Sequence, residues 1–143
     1  MTDIPRVHFD ELELVVRDGY YLYWKGQPFT GFAVEFFPDG TLQSEVHHVD
    51  GIENGPKREW FPSGKLMEEA NLWNGGLHGY ERVWDEQGRL RSERRGEFGI
   101  PITEKRWDEH GGLMKDWHIT PTDSLYEQWQ LRRKTYGQSA PPI

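Results

Sequence analysis

A six-residue segment recurs four times at offsets of 24, 24 and 23, and no other feature limits the fold as strongly. The copies are Gly31-Phe-Ala-Val-Glu-Phe36, Gly55-Pro-Lys-Arg-Glu-Trp60, Gly79-Tyr-Glu-Arg-Val-Trp84 and Ile102-Thr-Glu-Lys-Arg-Trp107. A fixed period of this kind means stacked supersecondary units, each contacting only its neighbours. Each copy ends in an aromatic ring. A turn and a leucine follow: Asp39-Gly40-Thr41-Leu42, Ser63-Gly64-Lys65-Leu66, Gln87-Gly88-Arg89-Leu90 and His110-Gly111-Gly112-Leu113. Five residues past each turn glycine (the first of the pair in the last copy) stands an acid: Glu45, Glu69, Glu93 and Asp116.

Glycine turns also separate the repeats, at Lys25-Gly26, Asp50-Gly51, Asn74-Gly75 and Phe98-Gly99, and Asp18-Gly19 marks a partial first unit. Asp-Gly and Asn-Gly supply the positive φ that two-residue hairpin turns require. The runs between turns have the length and the aromatic and β-branched content of strands and are too short for helices. The chain is therefore expected to be all-β, with tandem hairpins forming an elongated, curved antiparallel sheet. If each inner turn is a two-residue loop, Arg58 faces Glu69, Arg82 faces Glu93 and Lys105 faces Asp116. These cross-strand ion pairs support a register chosen on turn chemistry alone. In the first repeat Val34 faces Glu45 instead. The same register puts Phe36, Trp60, Trp84 and Trp107 on the face of the ion pairs and Leu42, Leu66, Leu90 and Leu113 on the other.

After Trp117 the repeat stops. Ser124 and Glu127 are spaced as a capping box, which predicts a short helix over 122–137 with Leu125 and Trp129 on one face and Gly137 as its stop. Such a helix is expected to act as a cap that covers the last hairpin and shields an edge strand. The whole reads as a single domain over 1–143: N-terminal capping strands over 1–22, about four hairpin repeats over 23–118, the helix, and a flexible tail over 138–143.

Composition narrows the function classes. Trp, Tyr and Phe number 7, 6 and 7 while mean hydropathy is only -0.86, so burial relies on rings that tolerate partial exposure, which suits a thin sheet. The absence of cysteine excludes disulfides, thiolate metal sites and thiol catalysis, and fits a reducing, cytoplasmic location. The first ten residues hold no basic n-region and no apolar h-region, and no apolar run is long enough to span a bilayer, so neither a secretion signal nor a membrane span is expected. Asp and Glu exceed Lys and Arg by 24 to 17, a net charge of -7 that repels nucleic acid and anionic lipid and attracts a basic protein.

The run from Tyr23 to Trp117 resembles bacterial MORN-variant repeats. The segments that carry the resemblance are Phe29-Thr-Gly31, Phe37-Pro-Asp-Gly40-Thr-Leu42, Phe61-Pro-Ser-Gly64-Lys-Leu-Met-Glu68 and Asn74-Gly75-Gly-Leu-His-Gly79. Proteins of this kind include antitoxins of the YwqK type. The resemblance implies a cytoplasmic binder that neutralises a toxin. The last repeat departs from the pattern, with Ile102 in place of glycine and Arg94-Arg-Gly-Glu-Phe98 before it.

Side chains that invite a chemical role have simpler explanations beside them. The rings Phe36, Trp60, Trp84 and Trp107, with Arg58, Arg82, Glu69 and Glu93 between them, have the composition of a protein-binding strip, and they are also what stacked repeats need for packing. The acid row is spaced two strands apart, about 10 Å, too far for paired catalytic carboxylates and right for ion pairing. His47 and His48 point to opposite faces of a strand and cannot share an ion; His47 and His118 hold equivalent repeat positions, and His78 reads as a turn residue. No Gly-x-Ser-x-Gly elbow and no Gly-x-x-x-x-Gly-Lys loop occurs. No cofactor and no metal is assigned. Arg89 to Arg95 is a basic segment, read first as a solvated strand beside Glu93 and Glu97.

These readings converge on a non-catalytic protein-binding repeat protein, an antitoxin or immunity protein whose partner is a basic toxin domain of nuclease or deaminase-like type. The alternative is a scaffold or homodimerisation module without a toxin. An enzyme lacks a nucleophile, base and orienting group in one constellation.

Overall fold

A computed structural model describes residues 3–143. Among the described residues twelve strands form two sheets. The larger sheet has nine strands and a separate one has three. The repeats supply β5 (Gly31–Phe36), β6 (Leu42–Val49), β7 (Ile52–Trp60), β8 (Leu66–Trp73), β9 (Gly76–Trp84), β10 (Leu90–Glu97), β11 (Ile100–Trp107) and β12 (Leu113–His118), each antiparallel to the next. The sheet is open and not closed into a barrel.

The N-terminal strands depart from simple hairpin stacking. β1 (Arg6–His8) lies parallel to β5, so the large sheet is mixed and not wholly antiparallel. A parallel pair needs a crossover. Here the crossover is the small sheet itself, β2 (Glu13–Val16), β3 (Tyr20–Trp24) and β4 (Gln27–Pro28).

The outer turns are two-residue loops with both central residues at positive φ, as at Asn74 (48°) and Gly75 (81°), and Trp73 is paired with Gly76 across the loop. They also lock the stack. Gly51 N–H donates to Phe29 O at 2.7 Å, Gly75 N–H to Glu53 O at 2.8 Å and Gly99 N–H to Leu77 O at 3.0 Å, one latch per repeat.

The inner turns differ from the two-residue loops expected. Phe61 N–H donates to Lys65 O at 2.9 Å and Gly64 N–H to Phe61 O at 2.8 Å, which closes a three-residue loop with Gly64 left-handed at φ 85°. Just beyond it a β-bulge inserts Met67, so that Leu66 faces Trp60 while Glu68 faces Glu59. Gln43, Arg91 and Met114 are the extra residues of the other hairpins. The leucines therefore lie directly opposite Phe36, Trp60, Trp84 and Trp107 on the same face, and not on the other face as expected. A bulge reverses the side-chain phase on one strand only, which is what carries each leucine across.

Two clusters of buried apolar residues lie at the two ends: Val7, Leu22, Phe29 and Ala33 where the small sheet meets the large one, and Ile100, Ile102 and Ile119 beneath the helix. In the middle hairpins Ala70 is the buried apolar residue of β8. Backbone ladders and turn latches, more than a thick core, hold that region together.

The helix α1 (Tyr126–Tyr136) is shorter than expected, and Ser124 and Glu127 do not form a capping box: its N-cap is Leu125, without a side-chain hydrogen bond. Asp123 instead closes the preceding turn, its carboxylate accepting from Thr120 N–H at 2.7 Å and from the Thr120 hydroxyl at 2.8 Å. Gly137 ends the helix in a right-handed conformation, with φ -57°. Nor does α1 shield the edge strand. Tyr126 and Trp129 pack on the isoleucine cluster, and Tyr136 packs on Trp73 and Phe98, so the helix crosses the outer-turn ends. It follows the apolar residues, which lie there, and leaves β12 open with Met114 71% exposed. The tail reaches back to the sheet: Pro141 O accepts from His78 Nε2 at 2.8 Å while Phe98 N–H donates to His78 Nδ1, so His78 is a buried structural residue and not merely part of a turn.

Candidate functional site

The ion pairs expected in single hairpins merge into one row. From Glu45 on β6 the register runs through Arg58, Glu69, Arg82, Glu93, Lys105 and Asp116, one residue per strand with the sign alternating to β12. Arg6 of β1 begins the row, 2.9 Å from Glu45. Arg58 lies 3.4 Å from Glu45 and 4.0 Å from Glu69; Arg82 lies 3.9 Å from Glu69 and 2.8 Å from Glu93. Lys105 and Asp116 face each other in register, without an ion contact inside 4.0 Å among the described residues. Arg82 also lies over the Tyr80 ring, 4.6 Å from its centroid.

Beside this row, toward the inner turns, run Phe36, Trp60, Trp84 and Trp107. Phe36 is 45% exposed, and the three Trp rings are half-buried against their leucine partners. The rings thus pack within the sheet and still present an edge to solvent. The small sheet and α1 both sit on the opposite face, so the face bearing the rings and charges is open. Because its cations and carboxylates are mutually paired, its net charge is close to zero and its long-range field is weak.

The remaining candidates of the sequence resolve into structural roles. Arg89 and Arg91 pair with Asp85, Arg94 with Glu81 and Arg95 with Glu97, which neutralises the basic segment locally. His47 Nδ1 lies 2.6 Å from Asn54 O, and its ring stacks edge-on against Phe32. His118 is exposed at the end of β12.

The opposite face carries a feature that the repeat pattern did not single out. A cleft of about 600 Å³ lies between the small sheet and strands β5 to β7, with Phe9, Leu14 and Tyr20 on one side and Glu35, Glu53 and Glu59 on the other. Leu14 is 58% and Tyr20 76% exposed. Lys57 at its floor lies 3.3 Å from Glu59 and 3.4 Å from Glu68. Burial opposes its charge, but these two carboxylates more than offset that and hold its pKa above the usual lysine range. Burial pushes His48, whose Nδ1 bonds Val46 O at 3.0 Å, toward the neutral form. One signal for this cleft was present in the sequence. Residues 1–70 contain 13 Asp and Glu against 6 Lys and Arg, whereas residues 71–143 contain 11 of each, so the whole net charge lies in the first half.

Comparison with known proteins agrees with the repeat architecture. Residues 53–74 match the MORN repeat variant. The chain is 52% identical over 111 residues to the immunity protein YwqK of Bacillus subtilis (strain 168), an alignment that spans 78% of this chain and 72% of that protein. No solved structure matches at a significant level.

Proposed function

Because this chain belongs to the family of the immunity protein YwqK, built on the MORN repeat variant, we propose that it is a non-catalytic protein that neutralises a cognate toxin in the bacterial cytoplasm by binding it directly. The observation that carries this reading is the open sheet face, where half-buried Trp60, Trp84 and Trp107 stand beside Arg58 and Arg82 with no element of the fold over them. Trp and Arg in partly desolvated positions are the usual anchors of protein interfaces. The net charge of -7 favours a basic partner, such as a nuclease or deaminase-like domain, and an on-rate that falls as salt rises.

The test is to express the tagged chain beside its neighbouring genes and identify the protein that elutes with it at low salt. The expected result is a single basic protein that arrests growth, with the arrest relieved by this chain and the relief weakened by Trp84→Ala or Arg82→Ala. Elution of the chain alone, with no neighbouring gene product causing arrest, would overturn the reading. A second reading, self-association, is supported by the uncovered edge of β12, where Leu113 is 57% exposed. It predicts a salt-tolerant dimer in sedimentation, lost in Asp116→Pro, a position whose N–H alternates with that of Ile119 and so faces away from β11.

A further inference from the structure

The face with the charge row cannot account for attraction to a basic partner, because its charges alternate and pair. The unbalanced charge lies on the other face. Glu35 and Glu53 line the cleft with no cation inside 4.0 Å among the described residues, and Glu59 shares Lys57 with Glu68. Opposite them the small sheet holds Leu14 and Tyr20 mostly exposed. Glu35, Ser44 and Glu59 also line a second hollow of about 320 Å³ toward the inner turns, which adds Phe61 and Met67, so the acidic strip has apolar surface on both sides.

We infer that this groove is the docking site for a basic segment of the protein partner, one whose Lys or Arg side chains meet Glu35, Glu53 and Glu59 while neighbouring apolar side chains lie on Leu14 and Tyr20. The inference rests on the reading of the chain as a binder of a basic protein, and it adds to the ring-and-charge face a second contact surface on the opposite face. Its volume is that of sites that take several side chains. Carboxylates facing apolar walls are costly to desolvate unless a cation accompanies the covering group. An acidic or purely apolar segment would therefore be rejected, and a basic amphipathic one accepted. The concentration of the net charge in residues 1–70, the half that builds this groove, steers such a segment to it.

The test uses the full-length protein and a short synthetic peptide alternating Lys and Leu, with a peptide alternating Glu and Leu as control. Nitrogen-15 NMR is expected to show shifts at Leu14, Tyr20, Glu35 and Ile52 with the basic peptide and none with the acidic one. Glu35→Gln with Glu53→Gln is expected to weaken binding at least about tenfold. Removing the same charge elsewhere, by Glu86→Gln with Glu127→Gln, is expected to leave binding nearly unchanged. Neither Glu35 nor Glu53 accepts a hydrogen bond from another side chain among the described residues, so the glutamine variants should fold, and their unperturbed spectra check it. Shifts confined to Tyr80 and Trp84, equal weakening in both variant pairs, or no binding would overturn the inference. The growth assay separates this from the broader reading: rescue that survives Glu35→Gln with Glu53→Gln removes the groove as the toxin site and leaves neutralisation standing. Absence of any toxin removes neutralisation while the peptide result still decides the groove.

Discussion

Replacing Gly51 with Ala should destabilise the protein far more than replacing Gly64 with Ala, although both glycines have φ 85°. The shared φ means that each alanine meets the same left-handed strain, about 1–2 kcal/mol. Around Gly64 nothing lies within 4 Å of the added methyl group, so strain is the whole effect. At Gly51 the methyl would sit 2.8 Å from Leu22 O. Backbone must move, and two hydrogen bonds are at stake there: Gly51 N–H to Phe29 O at 2.7 Å and Leu22 N–H to Gly51 O at 2.9 Å. At about 1 kcal/mol each, their loss adds roughly 2 kcal/mol. Urea unfolding followed by Trp fluorescence, with a slope near 2 kcal/mol/M, should separate the two variants by about 1 M in midpoint. Leu22 belongs to the wall of the acidic groove, so Gly51→Ala should also weaken peptide binding there while Gly64→Ala should not. Equal midpoints, within about 0.2 M, would refute the idea that the turn latches join the two sheets.

Other perturbations test other contacts. Trp129→Phe removes the indole N–H that donates to the buried Glu97 carboxylate and should cost about 1.5–3 kcal/mol in the same urea assay, with Glu97→Gln added to that variant recovering part of it. Glu69→Gln, which leaves Arg58 and Arg82 without their shared carboxylate, should cost no more than about 1 kcal/mol at low salt, and the difference from the parent should vanish near 1 M NaCl. His48 is held neutral by burial, so its folded pKa lies below the unfolded value of 6.5. Its contribution is complete above pH 6.5 and is lost as the pH falls toward the folded value, because the unfolded chain binds the proton first. His48→Leu should flatten the stability profile below pH 6.5, whereas an unchanged slope would place the effect elsewhere. Asp108 and Asp123, lowered below 3.8 by backbone N–H donors from Gly112 and from Thr120, add a second loss that begins only as the pH falls through that range.

Part of the register was legible for an instructive reason. A two-residue inner loop correctly pairs Arg58 with Glu69 and Arg82 with Glu93, although the loops have three residues. The longer loop shifts the pairing by one residue, and the bulge at Met67 or Arg91 shifts it back. Between loop and bulge the shift is uncorrected, so a two-residue loop puts the leucines on the wrong face there. A loop and a compensating bulge leave no separate trace in the repeat spacing, since both conserve the period. The acidic groove was missed because its two walls come from different levels of the sequence. Glu35 and Glu59 are equivalent positions of successive repeats, but Phe9, Leu14 and Tyr20 lie outside the repeat altogether.

The local and periodic part of this protein is written in its residues: hairpins punctuated by glycine at positive φ, rings and charges in rows, and hence an open sheet of stacked repeats. Those properties follow from turn chemistry and from a side-chain period of two, which act within a few residues. Long-range packing, by contrast, makes β1 join the sheet in parallel, residues 13–28 form a second sheet, and α1 cross the outer turns instead of guarding β12. Each of those outcomes depends on where apolar surface remains after the hairpins have stacked, at Phe29 and Ala33 on one end and Ile100 and Ile102 on the other. That residual surface exists only once the sheet is built, so the groove beside it could be read from the assembled fold and not from the repeat.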